Sequence, residues 1–296
     1  MPSLKEVRNR IQSVNSTQQI TKAMKMVAAA KLRRAQDAIT QMRPYAQHLQ
    51  TMLNNISAQI DDDDINPFAR EREANRVLIV VITSDRGLAG AFNANVTKAV
   101  VNLLNTQYST QLAAGNVQFM TIGKRGNDYL TRRKYDVNSD HTTLFTSLNF
   151  NNAKKAAEFA MDGFLKGRYD KVILVYNEFK NVATQFIRTE QFLPLVETKD
   201  NTGKKKAMQT NYIFEPSEKE IFAELIPKSL KIQFYKAILE SNASEHGARM
   251  TAMDKATDNA KELLKELKLV YNRTRQAAIT KEILEIVGGA EALASS

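Results

Sequence analysis

A polar turn with two glycines follows a fully apolar run and is the first place where chemistry could be expected. The run is 77–82, and the turn reads Thr83-Ser84-Asp85-Arg86-Gly87-Leu88-Ala89-Gly90-Ala91-Phe92-Asn93. Dinucleotide-binding turns need glycines spaced G-x-G-x-x-G, and an acidic residue near the end of the next strand. Only Gly87 and Gly90 are present, and Gly123-Lys124-Arg125 stands where the acid would be. The turn therefore favours a tight strand-to-helix connection over cofactor binding.

The other reactive side chains do not form a recognisable catalytic or metal site. Ser84, Asp85 and His141 are the residue types of a hydrolytic triad, but Ser84 is not in a G-x-S-x-G elbow. The chain has no cysteine, and its three histidines, His48, His141 and His246, are far apart in the sequence. We therefore predict no catalytic residue, no bound cofactor and no metal.

Positive charge is concentrated in the first sixty residues. The chain carries a net charge of +10, and residues 1–60 contain only Glu6 and Asp37 as acids. The basic residues there are Lys5, Arg8, Arg10, Lys22, Lys25, Lys31, Arg33, Arg34 and Arg43. Such a segment fits an acidic partner, whether nucleic acid, anionic lipid or acidic protein loops, and it equally fits a solvated helix face. Neither a membrane-spanning apolar stretch nor a signal peptide is expected.

The N-terminal segment is expected to be helical because apolar residues recur at helical spacing. Leu4, Val7, Ile11 and Val14 follow the 3-4-3 spacing of a coiled-coil seam. We predict that the seam resumes with the set Ile20, Met24 and Val27. Pro44 should end or kink this helix, and Asp61-Asp62-Asp63-Asp64 should stop the second helical stretch.

The C-terminal segment carries the longer heptad pattern. Its apolar stripe is Met253, Ala256, Ala260, Leu263, Leu267, Val270, Thr274 and Ala277. This spacing predicts a long helix that pairs along one face. Pro227 should limit its start, so we expect a helix over about 228–287, and Gly288-Gly289 should fray its end.

The middle of the chain has a different pattern of apolar residues. Short apolar runs at 77–82, 117–122 and 172–175 indicate strands that are buried on both faces, as in a parallel sheet. Helical patterns alternate with these runs, and 184–193 indicates a further strand towards an edge.

We therefore predict an α/β fold with a long antiparallel coiled coil, in which the two chain ends pair as a shaft. The expected divisions are an N-terminal shaft helix over 1–60, a Rossmann-like domain over 75–215, and a C-terminal shaft helix over 216–296.

Several blocks of the sequence resemble the gamma subunit family of F-type ATP synthase. They are Ile20 to Lys31, Ser84 to Asn93, Ser244 to Asp254, Arg275 to Ile283, and Ile286 to Ala292. The resemblance spans the chain with its blocks in family order. Alanine stands at position 89 where many relatives carry cysteine, and no cysteine-bearing insertion of the redox-controlled type is present.

The resemblance implies a non-catalytic central rotor. Its partners would be three alpha and three beta subunits, the epsilon subunit and the c-ring, with no nucleic acid. It would lie peripherally at the cytoplasmic face of the bacterial inner membrane.

By matching positions, Arg275 and Gln276 resemble residues that catch a beta-subunit loop. Arg249, with Met24 and Lys25, resembles a lower contact with an acidic beta loop; the plainer alternative for Arg249 is an ion pair with Glu245 or Asp254. The residues that resemble the foot contacts to epsilon and the c-ring are Tyr212, Phe214 and Glu215.

Two other functions remain open from the residues alone. One is a nucleotide-binding α/β protein with helical extensions, and the other is a basic coiled-coil scaffold for nucleic acid. The first would bind NAD or ATP as an isolated chain. The second would bind DNA in a salt-dependent manner, although no nucleic-acid recognition motif is recognisable.

Overall fold

The computed structural model describes residues 3–57, 66–182, 184–195 and 218–294. The chain divides into two compact units, one made of residues 1–28 with 250–296 and the other of residues 29–249. Helix α1 spans Leu4–Ser57 and helix α6 spans Glu218–Ala294, and parts of both helices belong to each unit.

The unit of residues 29–249 contains a five-stranded sheet. Its strands are β1 (Val77–Ile82), β2 (Val117–Ile122), β3 (Val137–Asn138), β4 (Lys171–Phe179) and β5 (Gln185–Leu193). The strand order is β3-β2-β1-β4-β5; β1 pairs in parallel with β2 and β4, β2 pairs in parallel with β3, and β5 is antiparallel to β4. The helices between the strands are α2 (Phe92–Gln107), α3 (Ser109–Ala113), α4 (Lys124–Arg132) and α5 (Phe150–Leu165), and a 3₁₀ turn covers Leu144–Ser147.

Strand β1 is apolar throughout because both of its faces are covered. Leu78, Val80 and Ile82 belong to a core shared with α5 and α6, where Phe164 and Phe234 are fully buried. The alternate residues of β1 face a second core formed with α2. The predicted fold class is confirmed, and β5 is the edge strand that the sequence indicated.

The unit of residues 1–28 and 250–296 is an antiparallel helix pair. Thr257 Oγ1 donates a hydrogen bond to Thr21 Oγ1 at 2.8 Å, and Lys25 Nζ lies 2.5 Å from Asp254 Oδ1. In both pairs the residue number rises on one helix as it falls on the other, which is the signature of antiparallel packing.

The predicted seam of α1 is wrong at Ile20 and Val27, whereas Met24 is half-buried. Ile20 and Val27 are 59% and 57% exposed, whereas Thr21 and Ala28 are buried. The 3-4 spacing in fact continues without a break, through the polar Gln18 and Thr21. The helix geometry therefore decides which residues face the partner helix, and the apolar residues that lie off this register face solvent.

The predicted stripe of α6 is wrong near its end for a related reason. Val270 is 40% exposed and Ala277 is exposed, while Tyr271 and Ala278 are half-buried. Tyr271 and Ala278 lie seven residues apart, as do Leu267 and Thr274, so the seam keeps its seven-residue repeat, but one of its two positions lies one residue later than predicted.

Pro227 was wrongly expected to limit the start of α6, and Pro44 does not end α1. Pro44 lies inside α1 and Pro227 lies inside α6. An internal proline costs about 3 kcal/mol, and burial of neighbouring side chains offsets that cost at about 1.5–3 kcal/mol each. These neighbours are Ile39 and Leu49 on α1, and Ile226, Leu230 and Phe234 on α6.

The glycine pair at the end of α6 was also wrongly expected to fray the helix. Gly288 and Gly289 are helical, and a side chain at either position would meet nothing within 4 Å. The helical penalty of glycine, about 1 kcal/mol, does not end a helix of 77 residues.

Candidate functional site

The β1–α2 turn is stabilised by its own polar groups. The Ser84 N–H donates to Asn93 Oδ1 at 2.9 Å, and Ser84 Oγ donates to the Arg86 carbonyl at 2.7 Å. Leu88 has a φ of +63° and is 65% exposed at the tip of the turn. The turn therefore holds a non-glycine residue in the left-handed region and presents its apolar side chain to solvent.

The adjoining start of α4 lacks the free amides that a phosphate site needs. The Lys124 N–H donates to Asp85 Oδ1 at 3.2 Å, and the Arg125 N–H donates to the Ser84 carbonyl at 3.1 Å. The Gly126 N–H donates to Thr83 Oγ1 at 2.8 Å. These three groups are occupied by the ends of β1 and its turn.

Gly123 explains why glycine follows β2. Its φ is +99°, and a Cβ placed on it would lie 2.1 Å from the Thr83 carbonyl oxygen. Glycine is therefore required by the close approach of two strand ends. The residues of the hypothetical triad have separate partners: Ser84 is bound to Asn93, and the His141 ring packs edge-on against Phe159 at 5.9 Å.

Arg249 on α6 binds the β1–α2 turn. Its Nη2 donates to the carbonyl oxygens of Arg86 at 3.0 Å and Gly87 at 3.3 Å. Its Nη1 donates to Glu245, and the two side chains are 11% and 9% exposed. One guanidinium thus joins a carboxylate on its own helix to two backbone carbonyls of the turn.

Burial controls the charges around Arg249. Burial raises the pKa of Glu245, and Arg249 counteracts this shift. Burial lowers the pKa of His246 to about 4, with Arg249 and then Lys31 contributing in the same direction. His246 is therefore neutral at physiological pH, and the Glu245 carboxylate is compensated mainly by Arg249, with a smaller contribution from Lys31.

The other predicted contact residues lie in a different setting. Lys25 pairs with Asp254, but these side chains are 39% and 50% exposed, and Met24 beside Lys25 is half-buried. Arg275 and Gln276 are exposed on α6. The predicted foot residues, Tyr212, Phe214 and Glu215, lie outside the described residues.

Sequence reasoning missed an apolar surface at the end of α6. Every residue from 281 to 290 is exposed. The large apolar side chains that face solvent in the last part of α6 are Ile279, Ile283, Leu284, Ile286 and Val287. Their near-helical spacing was the available signal, but they lie beyond the part of α6 that the heptad analysis followed. A contiguous exposed apolar surface of this kind marks a contact with another molecule.

Two classes of site are not found in the described part of the chain. No group of three or more acidic or histidine side chains is arranged there to hold a metal ion. None of the described helices has the length and apolar character required to cross a bilayer.

Comparisons with known proteins agree along the whole chain. A family model described as ATP synthase matches residues 3–293. The chain is 64% identical to the ATP synthase gamma chain of Cytophaga hutchinsonii and 55% identical to that of Christiangramia forsetii, in each case over 99% of both chains.

Solved structures give the same picture. A chain of the Tetrahymena thermophila mitochondrial ATP synthase, from a structure of its central stalk and c-ring, aligns with a TM-score of 0.56 and 26% identity, covering 80% of this chain and 99% of that one. A chain of the Euglena gracilis mitochondrial ATP synthase rotor aligns with a TM-score of 0.61, covering 93% of this chain and 98% of that one. Its 22% identity supports similarity of fold alone.

Proposed function

Because this chain belongs to the family of ATP synthase gamma chains, we propose that its paired terminal helices are the shaft of a rotor and its sheet-containing domain the foot. The chain is the central stalk subunit, and it has no catalytic role of its own. It couples rotation of the c-ring to ATP synthesis in the hexamer of alpha and beta subunits. The proposed divisions are 1–60 and 216–296 for the shaft and 75–215 for the foot.

The exposed apolar end of α6 is the observation that carries this assignment. Ile283, Ile286 and Val287 gain nothing from facing water, so they require a surrounding surface. A ring of alpha and beta subunits would supply it. Apolar contacts are non-directional, so such a ring could hold the helix end without fixing its angle.

The helix pair has the energetics that a shaft requires. Each buried Leu, Val or Met side chain along the seam contributes about 1.5–3 kcal/mol, while an exposed ion pair contributes about 0–1 kcal/mol. Contacts to surrounding subunits can therefore break at each step while the two helices stay together. The hydrogen bond between Thr21 and Thr257 joins the two helices at one polar position of the seam.

The predicted stator contacts fall into two groups by exposure. We assign Arg275 and Gln276 to a beta-subunit loop because both are exposed. Lys25, beside Met24, can exchange the exposed carboxylate of Asp254 for an acidic beta loop at little cost. Arg249 has buried internal partners, so we assign it to joining the foot domain to α6 within the unit of residues 29–249.

Co-expression with alpha and beta subunits tests the function. One copy of this chain per hexamer is expected, with ATPase activity only in the assembled complex. The assignment would be contradicted if this chain did not copurify with the alpha and beta subunits, or if the isolated chain had ATPase activity.

A double substitution tests the beta-loop contact. Replacing Arg275 and Gln276 by Ala should reduce rotation-coupled ATP synthesis while the chain stays folded. The matched control replaces Asn272 and Arg273, which are also exposed on α6. Equal rates of ATP synthesis in the two variants would show that Arg275 and Gln276 do not make the beta-subunit contact.

We place the chain at the cytoplasmic face of the bacterial inner membrane, held there through its partner subunits. The bacterial relatives support this placement. Fractionation of cells that lack the c-ring should release the chain from membranes.

A further inference from the structure

A groove of about 860 Å³ opens between α1, α5 and α6 within the unit of residues 29–249. None of the residues assigned above to rotor contacts lines it. Ile232 and Leu239 are buried among its lining residues, and Met42 is half-buried there. Its volume falls within the range of about 300–1,000 Å³ that is usual for small-molecule sites.

Aromatic rings line the groove. Phe150 and Tyr235 meet edge to face with their centroids 5.6 Å apart, and Tyr45 contributes a third ring from α1. Tyr45 and Phe150 are exposed although both are large apolar side chains. The groove therefore offers an apolar surface to a guest with an extended hydrocarbon body.

Positive charge dominates among the described residues that line the groove. The charged side chains among them are three lysines, Lys154, Lys228 and Lys231, and one acid, Glu224. Nearby Glu158 lies 2.7 Å from Lys231 and 3.7 Å from Lys154, so one carboxylate is shared by two ammonium groups. Lys231 accordingly lowers the pKa of Glu158. The positive charge left over favours a guest with an anionic head.

We propose that this groove binds a single-chain anionic amphiphile, a molecule of the fatty-acid class. Its hydrocarbon chain would lie along Ile232, Leu239 and the aromatic rings. Its carboxylate would lie beside Lys228 and Lys154. This site goes beyond the rotor function and does not depend on it.

Calorimetric titration of the full-length chain with dodecanoate, below its micellar concentration, tests the proposal. One dodecanoate should bind per chain, and dodecyl maltoside, with the same hydrocarbon chain and no charge, should bind at least about tenfold more weakly. Acetate, which carries the head alone, should not bind measurably. Equal affinities for the charged and uncharged amphiphiles, or binding without saturation, would overturn the proposal.

Substitutions locate the site. Lys228→Glu should weaken dodecanoate binding by about tenfold or more, and Ala223→Trp should obstruct the groove. Both positions are exposed, so the fold should be retained. Lys166→Glu makes the same charge change at an exposed position outside the groove and should leave binding unchanged. Equal loss in Lys228→Glu and Lys166→Glu would refute the site.

The assembled ATP synthase complex distinguishes a small-molecule guest from a protein partner. The proposal requires dodecanoate to bind the complex as it binds the chain. Binding to the chain that disappears in the complex would assign the groove to a partner subunit and overturn the proposal.

Discussion

Replacing Arg249 by Met should destabilise the protein far more than the same replacement of Lys25. Each removes a cation from an ion pair with a carboxylate on α6. The Arg249–Glu245 pair is 11% and 9% exposed, and the Lys25–Asp254 pair is 39% and 50% exposed. Breaking a buried pair from one side costs about 3–5 kcal/mol, whereas an exposed pair is worth about 0–1 kcal/mol.

The larger cost has two sources. Arg249→Met leaves the Glu245 carboxylate buried without its cation, and it leaves the carbonyls of Arg86 and Gly87 without their donor. The pKa of Glu245, already raised by burial, should rise further because Arg249 opposes that shift. A raised folded-state pKa gives stability that is present at acidic pH and lost as pH rises through that pKa. The destabilisation of Arg249→Met should therefore be larger at pH 7 than at pH 5.

Denaturant unfolding of the full-length chain, followed by circular dichroism, measures both variants. Adding Glu245→Gln to Arg249→Met should recover part of the lost stability, because the uncompensated charge is then removed. Amide hydrogen exchange should be faster across 84–90 in Arg249→Met and unchanged there in Lys25→Met. Equal, small losses of stability in the two variants would refute the assignment of Arg249 to a buried junction.

Three further changes have definite expected outcomes. Burial lowers the pKa of His246 from 6.5 to about 4. The stability that neutral His246 contributes is therefore present above pH 6.5 and is lost as pH falls towards 4. His246→Gln should flatten the pH–stability curve over this range. Gly123→Ala should cost about 2–5 kcal/mol in unfolding free energy, because the added Cβ would collide with Thr83. Gly115 also has a positive φ but lies in open space, so Gly115→Ala should cost only about 1–2 kcal/mol. Similar losses of stability in the two variants would contradict the close approach of Gly123 to Thr83. Ile286→Asp should leave thermal unfolding of the isolated chain unchanged and reduce ATP synthesis in the complex, and unchanged synthesis would show that the apolar end of α6 makes no contact.

Four of the five strands were predictable from runs in the sequence, at 77–82, 117–122, 172–175 and 184–193. A run such as 77–82, apolar at every position, cannot be half-exposed, so it implies layers on both faces and a parallel arrangement. Strand β3, with only two residues, carries too little pattern to be detected.

The shaft seam was less predictable because apolar character and helix geometry disagree along α1. The apolar pattern of the sequence points to Ile20 and Val27, but the buried positions are Thr21 and Ala28. Strict spacing from Val14 would have found them.

The role of Arg249 also depended on three-dimensional contacts. Its pairing with Glu245 is a local i,i+4 relation and was foreseen as an alternative. Its bonds to the carbonyls of Arg86 and Gly87 join residues more than 160 positions apart. Every residue has a backbone carbonyl, so the sequence does not indicate which carbonyls accept a hydrogen bond from a side chain. Only the fold could show that the Arg249 guanidinium is bound within the chain.

The rotor assignment is tested most directly by watching rotation with the two helices covalently joined. The chain has no native cysteine, so Thr21→Cys with Thr257→Cys, whose native hydroxyl oxygens are 2.8 Å apart, can form a single engineered disulfide. In a surface-fixed alpha–beta hexamer, a bead attached to the foot of this chain should rotate in one direction during ATP hydrolysis, with the disulfide intact. A bead that stays still while ATP is hydrolysed, or rotation that stops only when the disulfide forms, would contradict the account of a shaft whose helices turn as one body.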